Sequence, residues 1–237
     1  MKRFYSLFSG GVDSALATYS VLIHSNRCHM TPVFFNYGQR SASHEQAHAI
    51  SQTKILQTLT SGTSSIIDDC RIYNLVPSDL FAWSDSDILV AARGRQNLDV
   101  QNRNMIFISM LTSIILSDRK KLGDRAPIRG QTGIIVGFKN EHYDTRFQFA
   151  LLFNRLLNTK PFFVSVVTPL ISSHQRRSFH SLAKRFVNDT ASRQLVDNAW
   201  SCYFPTTEGR QCGKCPPCKA RNHLRKEIRK RAEYKSR

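Results

Sequence analysis

The sequence predicts a doubly wound α/β fold, in which a parallel sheet carries helices on both faces. Short apolar runs alternate with longer stretches of helical periodicity along most of the 237 residues. This order is typical of parallel strands joined by crossover helices. The first apolar run also ends in a turn of serine and glycine that leads directly into a helix, where sheets of this class bind ligands.

Each predicted element follows from local pattern. Strands are predicted where apolar, β-branched and aromatic residues run together, at residues 4–8, 29–37, 64–67, 133–138 and 162–167. Helices are predicted where apolar residues recur at helical spacing, at residues 13–24, 43–59, 104–116 and 172–187. The segment 74–102 is rich in polar residues and is expected to form a short helix and loops near the functional site.

Composition indicates a folded and strongly basic protein. Hydrophobic residues make up 41% of the chain, which is enough to fill a core. The sequence shows neither a membrane-spanning run nor a signal peptide, so we expect a cytoplasmic protein with no membrane partner. The net charge is +17, and residues 219–237 hold nine lysines and arginines against two glutamates. Both an acidic protein or nucleic-acid partner and a merely solvated surface are consistent with this tail.

A second basic cluster follows the predicted helix at 104–116. It comprises Arg119, Lys120, Lys121, Arg125 and Arg129. For this cluster too, a partner surface and a solvated face that keeps the protein soluble remain open.

The turn after the first strand has the chemistry of a phosphate cradle. Gly10 and Gly11 allow the backbone to approach an anion, and Ser9 and Ser14 can add hydroxyl donors. Asp13 can hold a Mg²⁺ ion beside the phosphates. The turn contains no lysine, so it is not a Walker A loop. An exposed glycine turn without a ligand is the alternative.

Four cysteines near the C-terminus predict a metal site. Cys202, Cys212, Cys215 and Cys218 are separated by nine, two and two residues, which places four sulfurs within reach of one ion. A tetrathiolate zinc site is favoured over an iron–sulfur cluster or disulfides. Four protein ligands leave no position for water, so the zinc would have a structural role.

These two motifs, in this order, resemble the 7-cyano-7-deazaguanine synthases, the nitrile-forming enzymes of the queuosine pathway within the PP-loop ATP pyrophosphatases. The loop at residues 9–14 matches their S-G-G-x-D-S, and the cysteines match C-x₈₋₉-C-G-K-C-x-x-C. Shorter motifs of the family are also present, so that the resemblance covers nearly the whole chain: Tyr37-Gly38-Gln39-Arg40 with His44-Glu45, Arg103-Asn104 with Phe107, Val136-Gly137 with Asn140-Glu141, and Ser201-Cys202-Tyr203.

The resemblance implies an adenine-nucleotide-hydrolase-like sheet at residues 1–198, and a zinc module with a basic C-terminal helix at 199–237. It implies an ATP-dependent ligase that adenylates the carboxylate of 7-carboxy-7-deazaguanine and releases pyrophosphate. Ammonia then displaces AMP to form an amide, and a second activation of that amide yields the nitrile. Family members use ATP, Mg²⁺ and Zn²⁺.

The resemblance also assigns roles to individual residues. It implies that the four cysteines bind the zinc. It implies that ATP and Mg²⁺ are bound by the loop residues Ser9, Gly10, Gly11, Asp13 and Ser14. Asp13 and Arg103 are the implied catalytic residues, although an arginine in such a motif can equally be a structural ion-pair partner. The implied substrate-binding residues are Tyr37, Gln39, Arg40, Glu45, Asn104, Glu141, Asp144 and Arg146.

The half of the chain that would bind the acceptor departs from the family pattern. Gln101 replaces a proline, Gln175 stands where a lysine is expected, and the segment 140–146 is shorter than its family counterpart. A diverged enzyme of an anti-phage system, joining the carboxylate to an amine of a protein or other macromolecule, is therefore an alternative. A tRNA-modifying or nucleic-acid-binding PP-loop protein is another. The sequence leaves open the nucleophile, the number of activations and whether the protein is a homodimer.

Overall fold

The computed structural model describes residues 1–39, 41–75, 103–123, 129–138, 146–171 and 190–235, and side chains as far as residue 230. Most of the polar segment at 74–102 and the whole predicted helix at 172–187 lie outside these ranges. So do Arg40, Glu141 and Asp144 among the predicted substrate-binding residues.

The described strands form one parallel sheet, which confirms the predicted fold class. The order across the sheet is β3-β2-β1-β5-β6, and β4 also pairs with β2. Every pairing is parallel. The strands are β1 (Lys2–Leu7), β2 (Cys28–Asn36), β3 (Ile66–Ile67), β4 (Arg71–Asn74), β5 (Thr132–Ile135) and β6 (Val164–Val167).

Helices cover both faces of this sheet. They are α1 (Val12–His24), α2 (Ala42–Thr60), α3 (Arg103–Lys121), α4 (Phe147–Leu157), α5 (Thr190–Asp197) and α6 (Pro216–Lys235). One core cluster joins α1, α2, α5 and α6 to one face, and a second joins α3 and α4 to the other. Along β1, Phe4 packs with the first cluster and Tyr5 with the second, as expected for alternating side chains.

The edge of the sheet beside β2 is an interrupted strand. β3 pairs with the start of β2 and β4 with its end. Between them, the Asp68 carboxylate hydrogen-bonds the His29 ring at 2.7 Å and accepts a bond from the Thr31 hydroxyl at 2.5 Å. The sequence predicted a strand at 64–67, which includes β3, and missed β4. The chain between β3 and β4 is fixed by side-chain hydrogen bonds between Asp68 and β2, which the local sequence pattern does not show.

The second basic cluster is partly structural. Arg119 is buried at the end of α3, and its guanidinium donates to the backbone carbonyls of Phe162 and Phe163. The cation therefore joins α3 to the chain entering β6. Lys120 and Lys121 are exposed on the same helix end, while Arg125 lies outside the described residues.

Candidate functional site

The predicted phosphate loop, residues 9–14, lies where the strand order of the sheet reverses. The connection after β1 leads to β2 on one side, and the connection after β5 leads to β6 on the other. The two connections diverge and leave a crevice at the carboxyl end of β1. The helix α1 begins at Val12, directly after the two glycines. Its first-turn N–H groups and its positive dipole end are therefore directed at this crevice.

Hydrogen bonds between the two serines hold the loop in shape. Ser14 is buried, and its hydroxyl donates to the Gly11 carbonyl at 3.1 Å. The Ser9 N–H donates to the Ser14 hydroxyl oxygen at 3.3 Å, and the two hydroxyl oxygens lie 3.2 Å apart. The structure thus brings the predicted loop residues together in a compact turn with its donors ordered before a ligand arrives.

Two glycines let neighbouring backbone segments contact this loop. A Cβ on Gly10 would lie 2.4 Å from the Glu45 carbonyl oxygen and 2.9 Å from the Ala49 nitrogen. A Cβ on Gly137, just beyond β5, would lie 2.7 Å from the Asp13 carbonyl carbon and 2.8 Å from the Ser14 nitrogen. Only residues without a side chain allow α2 and the end of β5 to press on the turn this closely.

Asp13 occupies the first turn of α1 and is half-buried. A carboxylate in this position is stabilised by the helix dipole. Its oxygens are the ligand type that Mg²⁺ prefers, and the ion usually bridges a carboxylate and phosphates. The residues present therefore fit the predicted Mg²⁺ position.

The predicted substrate residues after β2 form a second ordered loop. The Gln39 side chain accepts from the Tyr37 N–H and donates to Glu45, both at 2.9 Å. The second Glu45 carboxylate oxygen accepts from the Ser41 hydroxyl at 2.6 Å. Both oxygens of Glu45 thus bond to the chain itself, and this residue shapes the loop at the start of α2.

An aromatic wall and a cation adjoin this loop. The Arg103 guanidinium, at the start of α3, donates to the Tyr37 hydroxyl at 3.1 Å. The Phe107 ring lies 5.3 Å from the Tyr37 ring and is stacked 5.1 Å from the Phe35 ring. The wall stands at the carboxyl end of β2, one strand away from the phosphate loop. A flat heteroaromatic ring with an anionic group would suit such surroundings.

Two further predicted substrate residues lie at the beginnings of helices. Asn104 follows Arg103 in α3, and Arg146 is the exposed residue that precedes α4. The hydrogen bonds of the Tyr37 loop described above do not include Arg146. The structure therefore groups Tyr37, Gln39, Glu45 and Arg103, with Asn104 adjacent in sequence.

The four predicted cysteines converge. The Sγ atoms of Cys202, Cys212, Cys215 and Cys218 all lie within 4.8 Å of one another. Four sulfurs around one tetrahedral zinc ion would be about 3.8 Å apart, given Zn–S bonds of about 2.3 Å. The donor set and its spacing therefore fit zinc, held by all four thiolates in a closed structural site.

The backbone already favours thiolate at part of this cluster. The Cys212 N–H donates to the Cys202 sulfur at 3.2 Å, and the Cys215 N–H to the Cys212 sulfur at 3.4 Å. The pKa of Cys212 is lowered to about 6: desolvation is the largest single effect and raises it, but hydrogen bonds from the N–H groups of Cys215 and Lys214 and from neighbouring thiols together outweigh it. Burial raises the pKa of Cys202 and of Cys218, which a bound cation would reverse.

Comparison with known proteins decides the family. The model of the family described as queuosine biosynthesis protein QueC matches residues 3–228. The chain belongs to this family. Its membership confirms the resemblance inferred from the motifs.

Several curated relatives of this QueC family member are named 7-cyano-7-deazaguanine synthase. The protein from Pyrococcus horikoshii is 27% identical over 239 residues, covering 94% of this chain and 92% of its own. That from Prochlorococcus marinus (strain NATL2A) is 25% identical over 243 residues with the same coverage. That from Bordetella pertussis is 24% identical over 231 residues, covering 94% and 91%.

Among solved structures, the comparison finds a predicted subunit of tRNA methyltransferase from Methanocaldococcus jannaschii. It is 14% identical, with a TM-score of 0.43, covering 90% of this chain and 97% of its own.

In the described part of this QueC family member, none of the helices has both the length and the apolarity needed to cross a membrane.

Trp200 links the cysteine cluster of this QueC family member to the phosphate loop. Its backbone N–H donates to the Gly10 carbonyl at 2.9 Å, and its indole N–H donates to the Cys202 carbonyl at 2.9 Å. Its ring stacks on His44 of α2 at 4.3 Å. Sequence reasoning missed this role, for which the one local signal is an aromatic residue two positions before the first cysteine. The division between residues 198 and 199 stays a prediction.

The close approach at Gly10 gives a stability prediction with a matched control. Gly10 and Gly62 both have positive φ, +71° and +89°, but a Cβ on Gly62 would meet nothing within 4 Å. We expect Gly62→Ala to lower the free energy of unfolding by about 1 kcal/mol through backbone strain alone. Gly10→Ala should lower it by about 1–3 kcal/mol more through overpacking. Chemical denaturation measures both, and equal losses would contradict the packing described here.

Proposed function

We propose that this protein is an ATP-dependent 7-cyano-7-deazaguanine synthase. It would activate the carboxylate of 7-carboxy-7-deazaguanine, form the amide with ammonia, and convert that amide to the nitrile. The observation that carries the proposal is the serine–glycine loop at the sheet's switch point, where Gly10 and Gly137 admit close backbone packing. The names of the relatives supply the substrate class.

In the first activation, a carboxylate oxygen of the substrate attacks the α-phosphorus of ATP. The bond from that phosphorus to the β-phosphate oxygen breaks, and its electron pair leaves with pyrophosphate. Negative charge grows on the departing group, so the N–H groups of the loop and the dipole of α1 stabilise it. A Mg²⁺ ion bound at Asp13 would supply further positive charge there.

Amide and nitrile formation then need no redox partner. Ammonia attacks the acyl carbon, AMP departs with its electron pair, and a proton is lost to give the amide. In the second round the amide oxygen attacks another α-phosphorus and releases pyrophosphate. Loss of both protons from nitrogen and departure of AMP with its electron pair then leave the carbon–nitrogen triple bond. Each nitrile thus consumes two ATP.

The loop and wall after β2 would bind the acceptor. The Phe107 and Tyr37 rings would pack against the deazaguanine ring, and Arg103 would face the carboxylate as negative charge shifts toward the phosphate. Gln39 and Glu45 would position this loop through their mutual hydrogen bond. Asn104, Arg146, Arg40, Glu141 and Asp144 stay predicted substrate contacts.

Product analysis tests this proposal. Purified protein with ATP, Mg²⁺, ammonium and 7-carboxy-7-deazaguanine should release AMP and pyrophosphate. In the proposed reaction the carboxylate oxygen attacks the α-phosphorus, and the loop stabilises the departing pyrophosphate. Chromatography and mass spectrometry should find two AMP per nitrile formed, with none above background when the carboxylate is omitted. Release of ADP would contradict the proposal.

The same experiment separates the alternative nucleophile. If AMP forms with the carboxylate but no free amide or nitrile appears, the ammonia proposal is wrong, and mass spectrometry of the protein and added macromolecules would locate the acyl group. The macromolecular acceptor, the antiviral role, the tRNA-modifying role, the homodimer and the cytoplasmic location stay predictions.

A further inference from the structure

One face of α6 carries a regular stripe of exposed basic and polar side chains. Lys219, His223, Lys226 and Lys230 are all exposed and follow one another at intervals of four, three and four residues. This spacing places them on one side of the helix. The stripe runs about 16 Å, at a rise of about 1.5 Å per residue. Arg229 is exposed beside its end.

The opposite face of α6 holds the helix against the protein. Leu224 and Ile228 are buried in the core cluster that includes α1 and α2. Two further arginines serve this attachment. Arg221 is buried and donates to the Ala199 carbonyl at 2.5 Å, and Arg225 pairs with Asp197 at 2.5 Å. The cations of α6 thus divide into an inward pair that fixes the helix and an outward stripe.

The outward cations have no ion-pair partner in the part of the chain that the structure describes. This holds for Lys219, Lys226, Arg229 and Lys230. The net charge of the chain is +17, so acidic groups elsewhere in the chain do not balance the positive charge of the stripe. A linear array of like charges one helical turn apart is complementary to a linear array of anions.

The composition of this face favours nucleic acid over protein. Up to residue 230, the exposed positions of α6 contain no large apolar side chain. Protein interfaces have an apolar or aromatic centre and are depleted in lysine. Among these positions the one ring is the imidazole of His223, whereas surfaces for single-stranded nucleic acid use several aromatic rings to stack successive bases. The backbone of a duplex presents phosphates and sugars with its bases stacked inside, so contact with it needs neither feature.

We propose that the α6 stripe binds the phosphate backbone of double-stranded nucleic acid, without reading its sequence. Because Leu224 and Ile228 are buried, only one side of α6 is available, and the cations along that side would lie beside the phosphates. This binding site is separate from the proposed synthase reaction and does not depend on it.

A matched pair of triple variants tests the proposal. The first, Lys226→Gln with Arg229→Gln and Lys230→Gln, removes two charges from the stripe and the charge of Arg229 beside its end. The control, Lys120→Gln with Lys121→Gln and Arg155→Gln, removes the same charges from exposed positions of α3 and α4 on the other face of the sheet. The probe is a labelled DNA duplex of about 20 base pairs, long enough to span the stripe, followed by fluorescence anisotropy.

We expect the wild type to bind the duplex with a strong salt dependence. The stripe variant should bind at least about tenfold more weakly at about 100 mM salt, and its slope of log affinity against log salt should fall by about 2.7, or about 0.9 for each lost phosphate contact. The control should stay within about twofold of the wild type. Thermal unfolding and ATP turnover should be unchanged in both variants.

Three results would overturn the proposal. In the first, the stripe variant binds the duplex as the wild type does; in the second, the control loses affinity equally, so that total charge alone acts. In the third, poly-glutamate of matched charge competes as well as unlabelled duplex, which would make the surface a site for acidic protein. An RNA duplex of the same length, measured in parallel, distinguishes a DNA partner from an RNA partner.

Discussion

Asp13→Ala is expected to reduce AMP release by about 10³-fold or more while the protein stays folded. The carboxylate lies in the first turn of α1 beside the proposed phosphate site, and it is only half-buried. Removing a group that holds charge at the reacting phosphates costs turnover on this scale. AMP release is measured with saturating ATP and 7-carboxy-7-deazaguanine, and thermal unfolding is measured on the same preparation.

The control for this variant is Asp69→Ala. Asp69 is an exposed carboxylate near the edge of the sheet, where it accepts a hydrogen bond from Gln57 at 3.1 Å. Its loss should leave AMP release within about twofold, since a surface substitution far from the site has a small effect. An Asp13→Ala protein that releases AMP at the wild-type rate would show that the loop is not the ATP site.

Cys215→Ser should remove the metal and lower the free energy of unfolding by more than about 4 kcal/mol, a loss typical of a destroyed metal site. Cys215 is buried within the four-sulfur cluster, and serine oxygen is a poorer ligand for zinc than thiolate. Elemental analysis should find about one zinc per chain in the wild type and much less in the variant. Unfolding is followed by circular dichroism.

The matched substitution is Cys70→Ser. Cys70 is a half-buried thiol outside the cluster, so this variant should keep its zinc. A full equivalent of zinc in the Cys215→Ser protein would show that the four cysteines are not the ligand set. Because Trp200 bonds both to Cys202 and to Gly10, the Cys215→Ser protein should also bind ATP more weakly than the Cys70→Ser protein.

The parts of the fold that follow from local pattern were predictable. The first strand and the helix after it were expected at residues 4–8 and 13–24, and the structure has Lys2–Leu7 and Val12–His24. Helix α4 (Phe147–Leu157) was missed although its own apolar residues recur at helical spacing. Two other missed elements depend on contacts distant in the chain. β4 (Arg71–Asn74) contains few apolar residues and is a strand because it pairs with the end of β2. Helix α5 (Thr190–Asp197) is short and is fixed by packing on α1 and α2.

The candidate site shows the same division. The phosphate loop and the four-cysteine cluster are encoded in short spacings, so residue type and position were enough to predict them. Other roles depend on the folded neighbours of each side chain. Both oxygens of Glu45 accept hydrogen bonds from the chain itself, and Arg119 and Arg225 bond to groups of other segments. Charge counting alone cannot separate such inward cations from the outward stripe on α6.

The hydrogen bond from Trp200 to Gly10 has a consequence for biosynthesis of the protein. The phosphate loop precedes Trp200 by about 190 residues, so the ribosome makes the loop long before it makes the residue that supports it. A nascent chain therefore carries the nucleotide loop without the contact that fastens it while all the residues between them are made. ATP binding should appear late in translation, after the cysteine segment has emerged and folded.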